Sequence, residues 1–293
     1  MTFNDNANIG SGKARKRGRT TGVAVGGGVG VIALFLLSQL LGVDLSGLLG
    51  GAATEQSAGE VSTLDECQTG ADANANVECR MKGAAATLDT YWTDALPALG
   101  TAYSSPQPID LFTDAAGTGC GSASSATGPF YCPTDQTIYI DTAFFDELRT
   151  RFGSSGGPLA EMYVVAHEWG HHVQNITGVL AAAQDGETGA ASNSVRIELQ
   201  ADCYAGAWTA AASTTRDDAG VPFLKPVTDA QIADALSAAS AVGDDRIQQS
   251  TQGSVNPEGW THGSSEQRQK WFMTGYGSGA GACDTFAPAP AAL

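Results

Sequence analysis

Two imidazoles four residues apart inside an apolar run constrain this chain more than any other feature. The run is Val164-Val165-Ala166-His167-Glu168-Trp169-Gly170-His171-His172-Val173-Gln174, and its composition suits a helix. Four residues is just over one helical turn, so His167 and His171 share a face about 6 Å apart along the axis. That is the pairing a tetrahedral zinc ion takes from a helix. Glu168 projects roughly 100° around the helix from His167, where it can reach a water at the metal rather than the metal itself. His172 points about 100° away from His171 and falls outside the ligand set. The chain has four histidines and three lie in this run, which weighs against an ordinary amphipathic helix with incidental histidines.

A catalytic zinc ion held by two histidines needs a third protein ligand and an open position. The segment Arg196-Ile197-Glu198-Leu199-Gln200-Ala201-Asp202-Cys203-Tyr204-Ala205-Gly206-Ala207-Trp208 is helical by composition and apolar spacing. It places Glu198 and Asp202 on one face. Glu198 fits as the third ligand of a single Zn2+ ion. Asp202, one turn on, fits as the acceptor that fixes the tautomer of a ligand histidine. His262, in Trp260-Thr261-His262-Gly263-Ser264-Ser265, is the one histidine away from the metal helix. It could donate to a developing oxyanion, or serve as a hydrogen-bonded structural or surface histidine.

The N-terminal fifty residues differ in kind from the rest. They carry Lys13, Arg15, Lys16, Arg17 and Arg19, followed by a charge-free apolar run from Val23 to Val43. A helix over that run would span about 30 Å, the thickness of a hydrocarbon core. The reading is a cytoplasmic basic segment over 1–22, a transmembrane helix over 23–43 and a flexible tether over 44–62. Excess basic charge then keeps the N-terminus inside and the domain extracytoplasmic. A cleaved signal peptide is the rival. Past residue 50 the chain holds ten basic against 29 acidic residues. Such a surface repels nucleic acid and anionic headgroups, so neither is an expected partner.

All six cysteines follow the apolar run, which agrees with an oxidising compartment. Of 15 possible pairings, Cys67 with Cys79 and Cys120 with Cys132 close short loops, leaving Cys203 for Cys283. Zinc ligation by cysteine is disfavoured because no C-x-x-C spacing occurs. Helical spacing runs from Met81 to Leu96, strands are expected at 108–112 and 137–141, and a short helix at 144–152. Pro158 opens the histidine helix. Residues 180–192 connect two helices, Thr228 caps a helix to Val242, and Ser264 or Ser265 caps the last helix. The strand 137–141 either offers an edge to an extended substrate or is buried in the sheet. The tail, 285–293, reads as low-complexity and disordered.

Four stretches together carry a family resemblance: 130–141 (FYCPTDQTIYID), 167–174 (HEWGHHVQ), 196–206 (RIELQADCYAG) and 262–272 (HGSSEQRQKWF). The chain resembles the neutral zinc metallopeptidase family of bacterial single-pass membrane proteins. That resemblance implies an α+β, mainly helical zincin-like domain with a small sheet over 63–284, preceded by one membrane helix. It implies zinc peptidase chemistry, with His167, His171 and Glu198 as ligands and Glu168 as base. The expectation is therefore a membrane-anchored metalloprotease acting on peptide or protein substrates through water that Glu168 deprotonates. The other readings are a zinc-binding extracytoplasmic scaffold and a zinc amidase acting on cell-wall amide bonds. Oligomeric state is left open.

Overall fold

Ile109–Phe112 and Thr137–Asp141 are strands, as their β-branched and aromatic content predicts, and they pair in parallel at the centre of a five-stranded sheet. All nine of their residues are buried, which is the habit of parallel strands covered on both faces. The structure is a computed structural model and describes residues 2–18 and 61–293. Its strands in chain order are β1 (Ala14–Arg17), β2 (Val61–Ser62), β3 (Ile109–Phe112), β4 (Ala115–Thr118), β5 (Gly121–Ser124), β6 (Phe130–Cys132) and β7 (Thr137–Asp141). The helices are α1 (Gly70–Ala75), α2 (Val77–Ala98), α3 (Phe144–Thr150), α4 (Pro158–Ile176), α5 (Val179–Ala183), α6 (Asn193–Ala211), α7 (Asp229–Ala241), α8 (Asp244–Gln252) and α9 (Ser265–Ser278). The sheet order is β2-β1-β3-β7-β6, with β4 and β5 forming a separate ribbon. The α+β class expected from sequence is what the chain adopts.

Five helices make the frame of the site. Helix α4 packs between α2, α6 and α7, and α6 packs in turn along α9. A Cβ on Gly206 would come within 1.9 Å of the Phe272 carbonyl oxygen, and one on Gly275 within 1.8 Å of that of Cys203. Helices α6 and α9 therefore lie backbone against backbone, and this closeness carries Arg268 to Asp202. Trp92, Trp169 and Trp208 are buried around these helices. Full burial of a large apolar side chain contributes about 1.5–3 kcal/mol each. The caps agree with the expected boundaries: Thr228 and Ser264 each form a capping box, with Gln231 and Gln267. The three disulfides join Cys67 to Cys79, Cys120 to Cys132 and Cys203 to Cys283, the pairing expected from loop length.

Several boundaries require correction. The segment 1–22, read as separate from the domain, contributes residues 2–17 to it: Phe3 and Ile9 are fully buried in the core and β1 is an interior strand. The expected membrane helix 23–43 and residues 44–60 of the expected tether lie outside the described residues. The tether's last two residues, Val61 and Ser62, form β2. No helix among the described residues is long and apolar enough to cross a membrane. The tail 285–293 is ordered rather than disordered. Arg196 donates to the carbonyls of Thr285 and Pro288, Lys270 to those of Ala292 and Leu293, and Leu293 is buried. The strand 137–141 is interior, and β6 is the edge strand on that side. Sequence patterning also missed the β4–β5 ribbon, whose residues are glycine, serine, alanine and threonine, and the polar helix α8.

Candidate metal centre

Helix α4 opens at Pro158, whose missing N–H costs nothing in a first turn, and runs without interruption through both histidines. Ser192 caps α6 by accepting the Val195 N–H, starting that helix a few residues earlier than its apolar spacing suggests. The two helices cross at the Gly170–Ala201 contact, where an added Cβ on Gly170 would sit 2.9 Å from the Ala201 Cα. His167, His171 and Glu198 consequently converge, each offering a ligand atom within 4.8 Å of the others. His167 Nε2 lies 3.0 Å from one Glu198 carboxylate oxygen and His171 Nε2 lies 3.5 Å from the other.

The second nitrogen of each imidazole is held from behind. His167 Nδ1 is 2.9 Å from Asp202 Oδ1. His171 Nδ1 is 2.8 Å from Gln174 Oε1, a partner that sequence reading passed over although it sits three residues on along the same helix. The Gln174 amide nitrogen donates to the Ile197 carbonyl at 2.7 Å and to Gln200 at 3.1 Å, which leaves its oxygen to accept from His171. Both Nδ1 atoms are engaged, and both Nε2 atoms face Glu198. In its neutral form each imidazole would offer an Nε2 lone pair, and two imidazoles with one carboxylate are a donor set that fits zinc.

Charge in the site is balanced by a buried cation. Asp202 is fully buried and accepts two hydrogen bonds from Arg268, at 2.8 and 3.0 Å, and one from the Tyr163 hydroxyl. Burial acts to raise the Asp202 carboxyl, but Arg268 and His167 outweigh it and hold it below the usual carboxylate range. Burial likewise acts to lower His167, yet Asp202 and Glu198 raise it to about 10. An imidazole between two carboxylates is a site built to retain a cation. Glu198 itself is held well below its ordinary value because His171, His262 and His167 overcome the effect of burial. Replacing Asp202 with asparagine is expected to weaken zinc affinity by about 10–100-fold, measured by competition with a chromophoric chelator.

Glu168 stands apart from the triad. It is buried, which raises its carboxyl above the usual range against the pull of His167 and His171, and it accepts the Tyr131 backbone N–H from β6. It lines the same cavity as the triad, a space of about 270 Å³ whose walls include Phe144, Leu148, Val164, Leu180, Ile197 and Val242. His262 also lines this cavity. Its loop is pinned by Asp244, which accepts the backbone N–H groups of Thr261, His262 and Gly263 at 2.8, 2.7 and 3.0 Å. The Thr261 hydroxyl lies 2.8 Å from His262 Nδ1 and Asp244 Oδ1 lies 3.5 Å from it, which commits that nitrogen. His172 belongs to the structure instead: it bonds the Tyr131 hydroxyl at 3.0 Å and the Ser104 carbonyl at 2.7 Å, fastening β6 to α4.

A family model described as "Putative neutral zinc metallopeptidase" matches residues 3–286. The chain is similar to the Mycobacterium tuberculosis protein Rv2575, with 55% identity over 256 residues and 86% of each chain covered. It is also similar to YpfJ of Escherichia coli K12, with 37% identity over 266 residues covering 89% of this chain and 86% of that one. Both relatives bear the name "Uncharacterized protein". No solved structure matches the chain significantly.

Proposed function

This chain belongs to the neutral zinc metallopeptidase family, and on that premise we propose that it hydrolyses peptide bonds, with His167, His171 and Glu198 holding one zinc ion and Glu168 serving as general base. The observation that carries the reading is the convergence of both histidine Nε2 atoms on the Glu198 carboxylate, with Glu168 beside them in an apolar cavity. When bound there, zinc supplies a Lewis acid that brings the pKa of water towards about 7 and polarises a carbonyl oxygen.

The protein's own groups account for the remaining steps. Glu168 takes the proton of the attacking water and passes it to the leaving amine. The Tyr131 N–H orients the carboxylate while it does so. His262 donates to the oxygen that gains charge as the carbonyl becomes tetrahedral. Strand β6 ends the sheet beside Glu168, so its outer edge is placed to align an extended peptide by main-chain hydrogen bonds. That task falls to β6 and not to 137–141. The apolar cavity walls favour a bulky apolar side chain next to the scissile bond. Three disulfides support an extracytoplasmic site of action.

Cleavage of a peptide library by the full-length protein, with and without a chelator, tests the reading. The expected result is chelator-sensitive cleavage beside large apolar residues. A zinc-loaded protein that leaves every peptide intact would refute it and turn attention to non-peptide amides. Replacing His262 with alanine is expected to lower kcat by about 10²–10³-fold with zinc content unchanged, by analogy with loss of one oxyanion donor. Steady-state kinetics beside metal analysis checks this.

A further inference from the structure

The N-terminal strand β1 sits second in the sheet order and is paired on both sides, antiparallel to β2 and parallel to β3. Lys16 lies opposite Ser62 and Arg17 opposite Val61, so the chain departs after Arg17 and returns at Val61 as immediate neighbours. Paired strands stand about 4.8 Å apart. A bilayer's hydrocarbon core is about 30 Å thick. One crossing between these two strands would put hydrogen-bonded neighbours on opposite faces of the membrane.

The attachment of residues 2–17 is more than a strand pairing. Asn74 accepts the N–H groups of Thr2 and Phe3 at 3.1 and 3.0 Å and donates to the Phe3 carbonyl at 3.0 Å. Asn8 donates its N–H to Asp217 at 2.8 Å. The basic residues that resemble a positive-inside signal are engaged in ion pairs with the domain. Lys13 pairs with Asp89, Lys16 with Glu78, and both Arg15 and Arg17 with Asp110. Asp110 is fully buried, and one of its oxygens accepts all three guanidinium hydrogen bonds, at 3.0, 2.9 and 2.7 Å. Its other oxygen is buried with no hydrogen-bond partner. Removing β1 would therefore leave an uncompensated carboxylate inside the protein, a strongly destabilising change.

We propose that residues 2–17 and 61–293 lie on the same side of any bilayer that the apolar run 23–43 enters, so that the run leaves and rejoins the domain at one sheet edge. The N-terminal segment is then an integral part of the peptidase domain, and the β1–β2 edge is where the domain is moored. Five residues separate Arg17 from Val23, and a chain that long reaches no further than about 20 Å. The β1 end of the domain must stay within that distance of the start of the run. Val61, at this edge, is among the exposed large apolar residues.

Lys16 and Ser62 are both exposed, which makes them suitable reporters. The test uses the full chain in intact cells. Lys16→Cys and Ser62→Cys are made singly and labelled with a membrane-impermeant maleimide before and after permeabilisation. Equal accessibility of the two positions is expected. In the double variant, mild oxidation is expected to yield a peptide cross-linked between residues 16 and 62. Labelling of one position in intact cells and of the other only after permeabilisation would overturn the proposal. Epitope tags at residues 1 and 293, probed by external protease, give the same decision without altering the sheet. None of these readouts depends on catalysis, so the topology and the peptidase reading can fail separately.

Discussion

Replacing Glu168 with glutamine is expected to lower kcat by about 10²–10⁴-fold, the usual contribution of a positioned general base, while zinc stays bound. The reasoning starts from position. Glu168 is next to His167 in sequence yet absent from the metal-capable cluster, which consists of His167, His171 and Glu198. Glutamine keeps the size of the side chain and can still meet the Tyr131 N–H through its amide oxygen, so the cavity keeps its shape. What it loses is a lone pair basic enough to accept a proton. KM should change little, because the substrate's contacts with the cavity walls remain. Steady-state kinetics with metal analysis on the same preparation decides the matter, and turnover near the wild-type rate in a zinc-loaded Glu168→Gln protein would remove Glu168 from the mechanism.

Replacing Glu198 with alanine is expected to have the other large effect, this time on the metal. Both histidine Nε2 atoms face its carboxylate, at 3.0 and 3.5 Å, so its loss removes the one carboxylate of the cluster. Zinc affinity should fall by more than the roughly 10–100-fold typical of losing an outer partner such as Asp202. Activity should be lost with the metal, and excess zinc should restore it in part at most. The fold should survive, since the Asp202–Arg268 pair and the Gln174 contacts do not involve Glu198. Isothermal titration with zinc and a far-ultraviolet spectrum separate metal loss from unfolding. Undiminished zinc affinity would mean that the third ligand is another residue.

The parts of the site that sequence could disclose are those written in local periodicity. His167 with His171, and Glu198 with Asp202, are spaced by one helical turn, so each pair falls on one helix face before any tertiary structure is known. The disulfide partners were accessible for a related reason: Cys67 with Cys79 and Cys120 with Cys132 each lie 12 residues apart, and short loops close at low entropic cost. Arg268 was not accessible as a partner. Its contact with Asp202 spans 66 residues and depends on Gly206 and Gly275 letting α6 and α9 touch, a packing fact with no periodic signature. Asp244 escaped notice likewise, because it holds the His262 loop from 18 residues upstream.

The N-terminus shows how one pattern can carry two meanings. A basic stretch before an apolar run is what a membrane anchor displays, and hydropathy responds to nothing else. The acids that Lys13, Arg15, Lys16 and Arg17 meet are Asp89, Asp110 and Glu78, all distant in sequence. Composition could not reveal that these charges are matched inside a domain. At the other end, proline and alanine gave the tail 285–293 the look of disorder. It is held by main-chain carbonyls accepting from Arg196 and Lys270, by the Thr285 hydroxyl donating to the Arg196 carbonyl and by the buried Leu293, contacts that composition does not signal.

The central claim is that one zinc ion at His167, His171 and Glu198 enables peptide hydrolysis. Its most direct test is a metal and activity titration of the purified full-length protein. The expected result is close to one zinc per chain, loss of peptide cleavage when a chelator removes it, and recovery that saturates at one equivalent of added zinc. Cleavage that persists after the metal has been stripped, or a chain that takes up no zinc, would contradict the account.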